Sequence, residues 1–190
     1  MKKMTIIFSV IFLAYSCGCS DEGTDYVNFN EFESSIIPTN INSQVEFENQ
    51  NSEIITAEYT EFDNEPIYST PSEPSCHVYI FESSSVILSI TELELNFRLN
   101  IKVLDYGNRR EVIFIIQTDE EMYFINGSVF DESEDIEQFL TNYNSNGFEF
   151  NDVFIFSGSI ENEISKIIYE PQVGVRLIEF NDSTYLKLIE

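Results

Sequence analysis

Apolar and polar positions alternate without exception along residues 93–103. Leu93, Leu95, Phe97, Leu99, Ile101 and Val103 stand between Glu94, Asn96, Arg98, Asn100 and Lys102. A period of two over that length sends one face into a core and the other into water, the mark of a strand in an antiparallel sheet. Asp105-Tyr106-Gly107-Asn108-Arg109 then supplies turn chemistry, and residues 111–118 return as the next strand. A third, 122–130, pairs back across Asp119 and Glu120. Upstream, 45–47, 53–62 and 77–82 are strand-like. The stretch 63–75 between the last two is a loop, because Pro66, Pro71 and Pro74 each remove an amide donor and fix φ. Downstream, 148–156, 163–169, 173–180 and 184–189 are strand-like as well.

One helix is predicted, near 132–143. Ile136, Phe139, Leu140 and Tyr143 fall at i, i+3, i+4 and i+7, and Asp131 with Glu134 resembles a capping box. Gly147 lies just past its end, where a left-handed residue is often needed. The expected fold is therefore mainly β: an antiparallel up-and-down meander of roughly eight or more strands, as a curved sheet or a partly closed barrel.

Composition agrees with a packed domain. Seventeen Phe and ten Tyr among 190 residues are more than an unstructured acidic chain carries, and their types favour strands. The N-terminus is different in kind. Lys2 and Lys3 precede an apolar run from Ile6 to Ala14, too short to span a bilayer, and small residues then lead to a cysteine. This predicts a cleaved secretory signal over 1–18. The pattern resembles a bacterial lipoprotein, in which the cut falls before a diacylated cysteine. Cys17 and Cys19 both offer small residues at the third and first positions before the cut. Ser20-Asp21-Glu22 after Cys19 resembles the export signal of surface-exposed Bacteroidota lipoproteins, which favours Cys19 as the lipidated residue and Cys17 as the alternative. The resemblance implies anchoring in the outer membrane with the protein on the cell surface; without that export step it would face the periplasm. Residues 19–44 are acidic and polar and are expected to be a tether, with 45–190 a single β-rich domain.

Charge narrows the partners. Cleavage removes two of the nine basic groups and none of the 34 acidic ones, so seven basic against 34 acidic groups leave a net of −27 on the mature chain. Such a balance repels phosphate backbones and makes nucleic acid an unsuitable partner. It suits cations and basic proteins, but the acids are scattered rather than blocked, which fits a solubilising shell. The expected partners are a membrane, through the lipid anchor, and a protein at the cell envelope.

The C-terminal third resembles the ending of small Bacteroidota lipoproteins. Its elements are Asn151-Asp152-Val153-Phe154-Ile155-Phe156, then Tyr169-Glu170-Pro171-Gln172-Val173-Gly174-Val175, then the turn Asn181-Asp182-Ser183 before Thr184-Tyr185-Leu186. Ser183 stands where that family more often has Gly. The resemblance is structural and implies no activity. Physically, Gly174 lets a neighbouring strand or aromatic ring approach closely, or marks a bulge.

Candidate chemistry is thin. Cys76 and His77 are adjacent, and neighbours on a strand point to opposite faces, so the pair does not line one site. His77 is the sole histidine, whereas zinc sites use three or more protein ligands. With Cys17 removed and Cys19 acylated, Cys76 would be a lone thiol. Asn142-Tyr143-Asn144-Ser145-Asn146-Gly147 matches the first half of a calcium loop, but Val153 occupies the position of its bidentate Glu. It is expected instead to be an Asn-rich connector at a helix C-terminus. Arg98 is isolated, and Arg109 and Arg110 sit at a hairpin tip, expected to be solvated. Asp182-Ser183-Thr184 resembles an O-glycosylation sequon of these bacteria. Nothing in the chain matches a Gly-rich phosphate loop, a Gly-x-Ser-x-Gly elbow or a His-Glu-x-x-His motif. No catalytic residue, metal ligand or cofactor is therefore assigned. A lipid-anchored extracytoplasmic binding or interaction module, with no enzymatic role, is the leading expectation. The alternatives are an immunity or inhibitor lipoprotein that neutralises a basic effector, and a hydrolase with paired carboxylates.

Overall fold

The computed structural model describes residues 23–69, 77–105, 110–125, 135–158 and 163–189. Where the sequence alternates, it forms strands: β2 (Ser43–Asn49), β3 (Ile54–Asp63), β7 (Leu95–Asp105), β8 (Arg110–Gln117), β9 (Met122–Ile125), β11 (Phe148–Ser157), β12 (Ile164–Glu170), β13 (Gly174–Phe180) and β14 (Tyr185–Leu188). Five more complete the described set: β1 (Thr24–Val27), β4 (Ile67–Tyr68), β5 (Val78–Phe81), β6 (Ser83–Ile90) and β10 (Thr141–Ser145). Ten of these run β11-β12-β13-β14-β2-β3-β6-β7-β8-β9, and β9 returns to β11 through Phe156 opposite Ile125 and Ser157 opposite Phe124. Every pair in the ring is antiparallel, so the expected meander closes into a ten-stranded barrel. Closure also depends on the chain ends, since β14 pairs with β2 with Leu188 opposite Phe47.

The barrel is filled rather than hollow. On β7 the odd positions Phe97, Leu99, Ile101 and Val103 are buried, and they face Leu88 and Val86 of β6 and Ile116 and Phe114 of β8. Phe114 sits at the centre, edge-on to Phe154 (5.7 Å), Phe156 (5.0 Å) and Tyr169 (5.0 Å), geometry that aromatic quadrupoles favour. Small barrels fill their interiors in this way. Leu93, expected on the inner face, instead belongs to a 3-10 turn (Thr91–Leu93) and is 41% exposed.

Gly174 carries the close approach read from the sequence. At φ +104 a Cβ there would collide with the Tyr59 hydroxyl and lie 2.8 Å from Tyr59 Cζ. Only glycine suits both constraints. The register of β12 and β13 shifts beside it, between Ile168 and Tyr169. The Tyr59 ring reaches from β3 across the interior and its oxygen accepts the Val175 amide at 2.8 Å.

The described part of the expected tether, 23–44, is folded. A short helix α1 (Glu31–Ser35) opens with a capping box: Asn30 Oδ1 accepts the Glu33 amide at 2.8 Å, and Glu33 Oε2 accepts the Asn30 amide at 2.7 Å. Phe29, Phe32, Ile36 and Ile37 then pack on the core and plug one end of the barrel. The Tyr169 hydroxyl donates to the Ile36 carbonyl beneath the plug, and the Gln172 amide donates to the Ser35 carbonyl at 2.7 Å. Apolar residues spaced thinly among Asn, Ser and Glu gave no periodic signal, yet they suffice for a plug. Arg110 departs from expectation in the same place. Instead of standing in solvent, it pairs with buried Glu33 and donates to the Asn28 carbonyl at 3.0 Å.

The helix predicted near 132–143 does not form over the residues described there. Ile136–Phe139 is a single 3-10 turn capped by Asp135, and β10 follows at once. Asp131 and Glu134 lie outside the described residues. The apparent helical spacing arises because Ile136 enters the barrel core while Tyr143 serves a second cluster on the outer face, with Phe150, Val153, Ile168 and Leu177. The Asn-rich connector is the turn of a β10–β11 hairpin: Asn146 (φ 54) and Gly147 (φ 82) are both left-handed, as a two-residue type I′ turn requires.

Beneath this hairpin Glu179 is nearly buried, and its Oε1 accepts the Tyr143 hydroxyl at 2.6 Å and Asn146 Nδ2 at 2.9 Å. Burial, aided by the Glu179 carboxylate, pushes the Tyr143 phenol up to about 12, and burial also raises Tyr59 and Tyr169 well above the ordinary value. A folded-state pKa above the unfolded one means the stability these phenols contribute is whole below about pH 10 and is lost as pH climbs through the folded values. Ultraviolet titration should therefore show Tyr59, Tyr143 and Tyr169 ionising only together with loss of strand circular dichroism. Complete ionisation with the sheet intact would contradict their burial.

Candidate functional site

The plug closes one end of the barrel; the candidate site is the other end. The β12–β13 turn, which carries Gln172, meets the plug, and the β13–β14 turn lies at the far end of β13. There the β2–β3 turn, the β13–β14 turn, the 3-10 turn after β6 and the start of β12 surround a cleft of about 460 Å³. Its floor is made by inward-facing ends of strands: Ile55 of β3, Leu95 of β7, Phe180 of β13 and Leu186 of β14. Its rim is polar, with Asn49, Gln50, Asn181 and Thr184 beside the carboxylates of Glu163 and Asp182. An apolar floor with a few convergent polar groups is the usual make-up of a small-molecule site, and barrel mouths are a frequent place for one.

The rim is held by its own side chains. Asn49 Oδ1 accepts the amides of Asn51 (2.9 Å) and Glu53 (3.1 Å), while its Nδ2 donates to Glu53 Oε2 at 2.7 Å. Ser52 (φ 61) completes that turn. In the neighbouring hairpin Asp182 Oδ1 accepts from the Thr184 amide at 2.9 Å and the Thr184 hydroxyl at 2.6 Å. These bonds favour the ionised form and hold the Asp182 carboxyl below its ordinary value. Ser183 sits at φ 71, a left-handed conformation that glycine adopts without strain. The two hairpins are tied together by the Tyr185 amide donating to Gln50 Oε1 at 3.3 Å. Further round the rim the Asn181 amide donates to the Glu163 carbonyl at 2.9 Å. Loops bound to one another in this way are pre-organised, which limits the ordering cost of binding.

The other residues weighed from the sequence fall elsewhere. Cys17, Cys19 and Cys76 lie outside the described residues. His77 Nε2 meets Asp25 Oδ2 at 2.8 Å, joining the segment before β5 to β1, and Gly23 approaches its ring so closely that a Cβ would lie 2.7 Å from Cε1. This contact is structural, and it explains a glycine at position 23. Arg98 lines a polar groove on the outer wall with Thr60, Asn96 and Gln117, away from the mouth. Asp182 and Thr184 do belong to the mouth, where they form the β13–β14 turn. Among the described residues no group of three or more His, Cys, Asp or Glu is placed to hold a metal ion.

The cleft was not legible in advance. Its residues come from turns distant in sequence, and the Asn, Asp and Thr that form its rim are also what any tight turn uses. No family model, curated protein or solved structure matches the chain significantly, so the geometry alone bears on its use.

Proposed function

We propose that this protein is a lipid-anchored binding module of the cell envelope, held by acylated Cys19 and presenting the barrel mouth away from the membrane. The observation that carries this is the opposition of its two ends. The N-terminal strand β1 begins at Thr24, five residues beyond Cys19, and leads directly into the plug residues Phe29 and Phe32, whereas the cleft opens at the far end of the barrel strands. β7 spans 11 residues, so with the tilt usual in barrels about 30 Å separate the two ends. A filled, pre-organised barrel with a polar-rimmed mouth suits capture of a neutral or cationic ligand that has an apolar part. The rim carries carboxylates and amides, and the mature chain carries −27, which disfavours anions.

The anchor is tested in cells. Globomycin treatment or Cys19→Ala should abolish lipid labelling and membrane retention. Normal labelling of Cys19→Ala with loss in Cys17→Ala would move the anchor two residues upstream, and labelling in neither wild type nor variants would reject it.

A further inference from the structure

The small sheet outside the barrel has an order β1-β5-β4, with β1 and β5 parallel and β5 and β4 antiparallel. In register, Tyr26 of β1, Ile80 of β5 and Tyr68 of β4 lie in one row, and side chains paired across strands share a face. Val78 continues the row on the same side. The opposite face carries Phe81, which is buried, and Tyr79, stacked 6.1 Å from it. That face packs inwards and the Tyr26–Ile80–Tyr68 face turns out. Tyr26 is 70% exposed and Tyr68 65%, the two highest values among the exposed large hydrophobic residues described.

This outward face is rigidly fixed. The Val103 amide of β7 donates to the Glu82 carbonyl at 3.1 Å, the Glu82 amide to the Val27 carbonyl at 2.9 Å, and the Phe29 amide to Glu82 Oε2 at 2.6 Å. Glu82 thus bolts the sheet to both barrel and plug. The His77–Asp25 contact holds the β1–β5 pair at its other end.

Resting on the Cys19 anchor proposed above, we infer that the Tyr26–Ile80–Tyr68 face lies in the headgroup region of the bilayer that holds the lipid. Five residues from Cys19 to Thr24 reach at most about 18 Å fully extended, so the anchor keeps Tyr26 close to the membrane surface whatever path they take. Two tyrosines flanking an isoleucine are suited to that layer, since each ring has an apolar body and a polar tip that stays hydrated. A protein strand is a poorer occupant: β4 offers an edge of two residues and β1 one of four, short for strand addition. The two acyl chains of a diacylated cysteine already retain the protein, so an interfacial patch beside the anchor serves to orient the barrel. The mouth is thereby pointed outwards.

The chain has no tryptophan, which makes single indoles clean reporters. Tyr26→Trp, Tyr68→Trp and, at the mouth, Leu93→Trp are exposed-site changes that leave the core alone. Each variant is made in the full, natively acylated chain and reconstituted in zwitterionic phosphatidylcholine vesicles containing brominated lipid. The indoles at 26 and 68 should be blue-shifted and quenched about fivefold more than the indole at 93, as expected for rings at headgroup depth. Equal quenching at all three sites, or none at 26 and 68 in vesicles that carry the floated protein, overturns the docking while leaving the anchor standing. Failure to float with vesicles, together with absent acyl labelling, overturns both. A blue shift at 26 and 68 that needs no lipid and follows protein concentration replaces the bilayer with a second copy of the chain.

Discussion

Gly174→Ala should destabilise the barrel by about 4 kcal/mol, a large share of a domain's whole stability. Three costs combine. A side chain at φ +104 is strained by about 1–2 kcal/mol. Its Cβ runs into Tyr59, and overpacking a filled interior adds about 1–3. Moving the ring to relieve that clash leaves the buried Val175 amide without its acceptor, a further loss of about 1–3. The contact can be isolated by a mutant cycle. Tyr59→Phe alone should cost about 1–3 kcal/mol for the orphaned amide, and in that background Gly174→Ala should cost about 1–2 less, because the hydroxyl it strikes is gone. Urea unfolding of the four proteins gives the values. Additive effects, or a cost for Gly174→Ala below about 1 kcal/mol, would mean that Tyr59 does not sit over Gly174.

The same position illustrates what the sequence makes legible. A glycine inside an otherwise good strand is a local anomaly with few physical causes, and close approach was among them. Strands were legible for a related reason: a half-buried sheet imprints its period on consecutive residues. β6 escaped notice because Ser83, Ser84, Ser85 and Ser89 blur the pattern, although Val86, Leu88 and Ile90 keep the period. Two pairings that close the barrel, β14 with β2 and β9 with β11, join segments with no sequence relation, so closure was left open between curved sheet and barrel. The 132–143 segment failed differently. Its i, i+3, i+4, i+7 spacing is real, but the residues serve two cores on opposite sides of one wall, which a single helix face would have to satisfy at once. The Asn-Gly pair at 146–147 was the better local signal there, and it argued for a hairpin. At the mouth, function and turn geometry call for the same residue types, so nothing distinguished rim from connector.

Phe97→Ala should cost about 3–5 kcal/mol, the range for truncating a buried aromatic, while Arg98→Ala next to it should cost about 0.5 kcal/mol. Phe97 is wholly buried and pairs across to Leu88 at the centre of the interior. Its ring leaves a void that a closed barrel is badly placed to collapse, because each wall strand is held by hydrogen bonds on both sides. That constraint puts the expected loss towards the upper end of the range. Arg98, half-buried on the outer wall between Ile87 and Gln117, rests in the polar groove there and can be truncated without opening the core. Thermal melts of both variants decide between architectures. A large loss at 97 with a small one at 98 is the signature of one dry and one wet face. Comparable losses at both would mean a wall covered on its outer side along β7, as it is along β12 by the β10–β11 hairpin. The reverse order would shift the register by one residue and turn the barrel inside out.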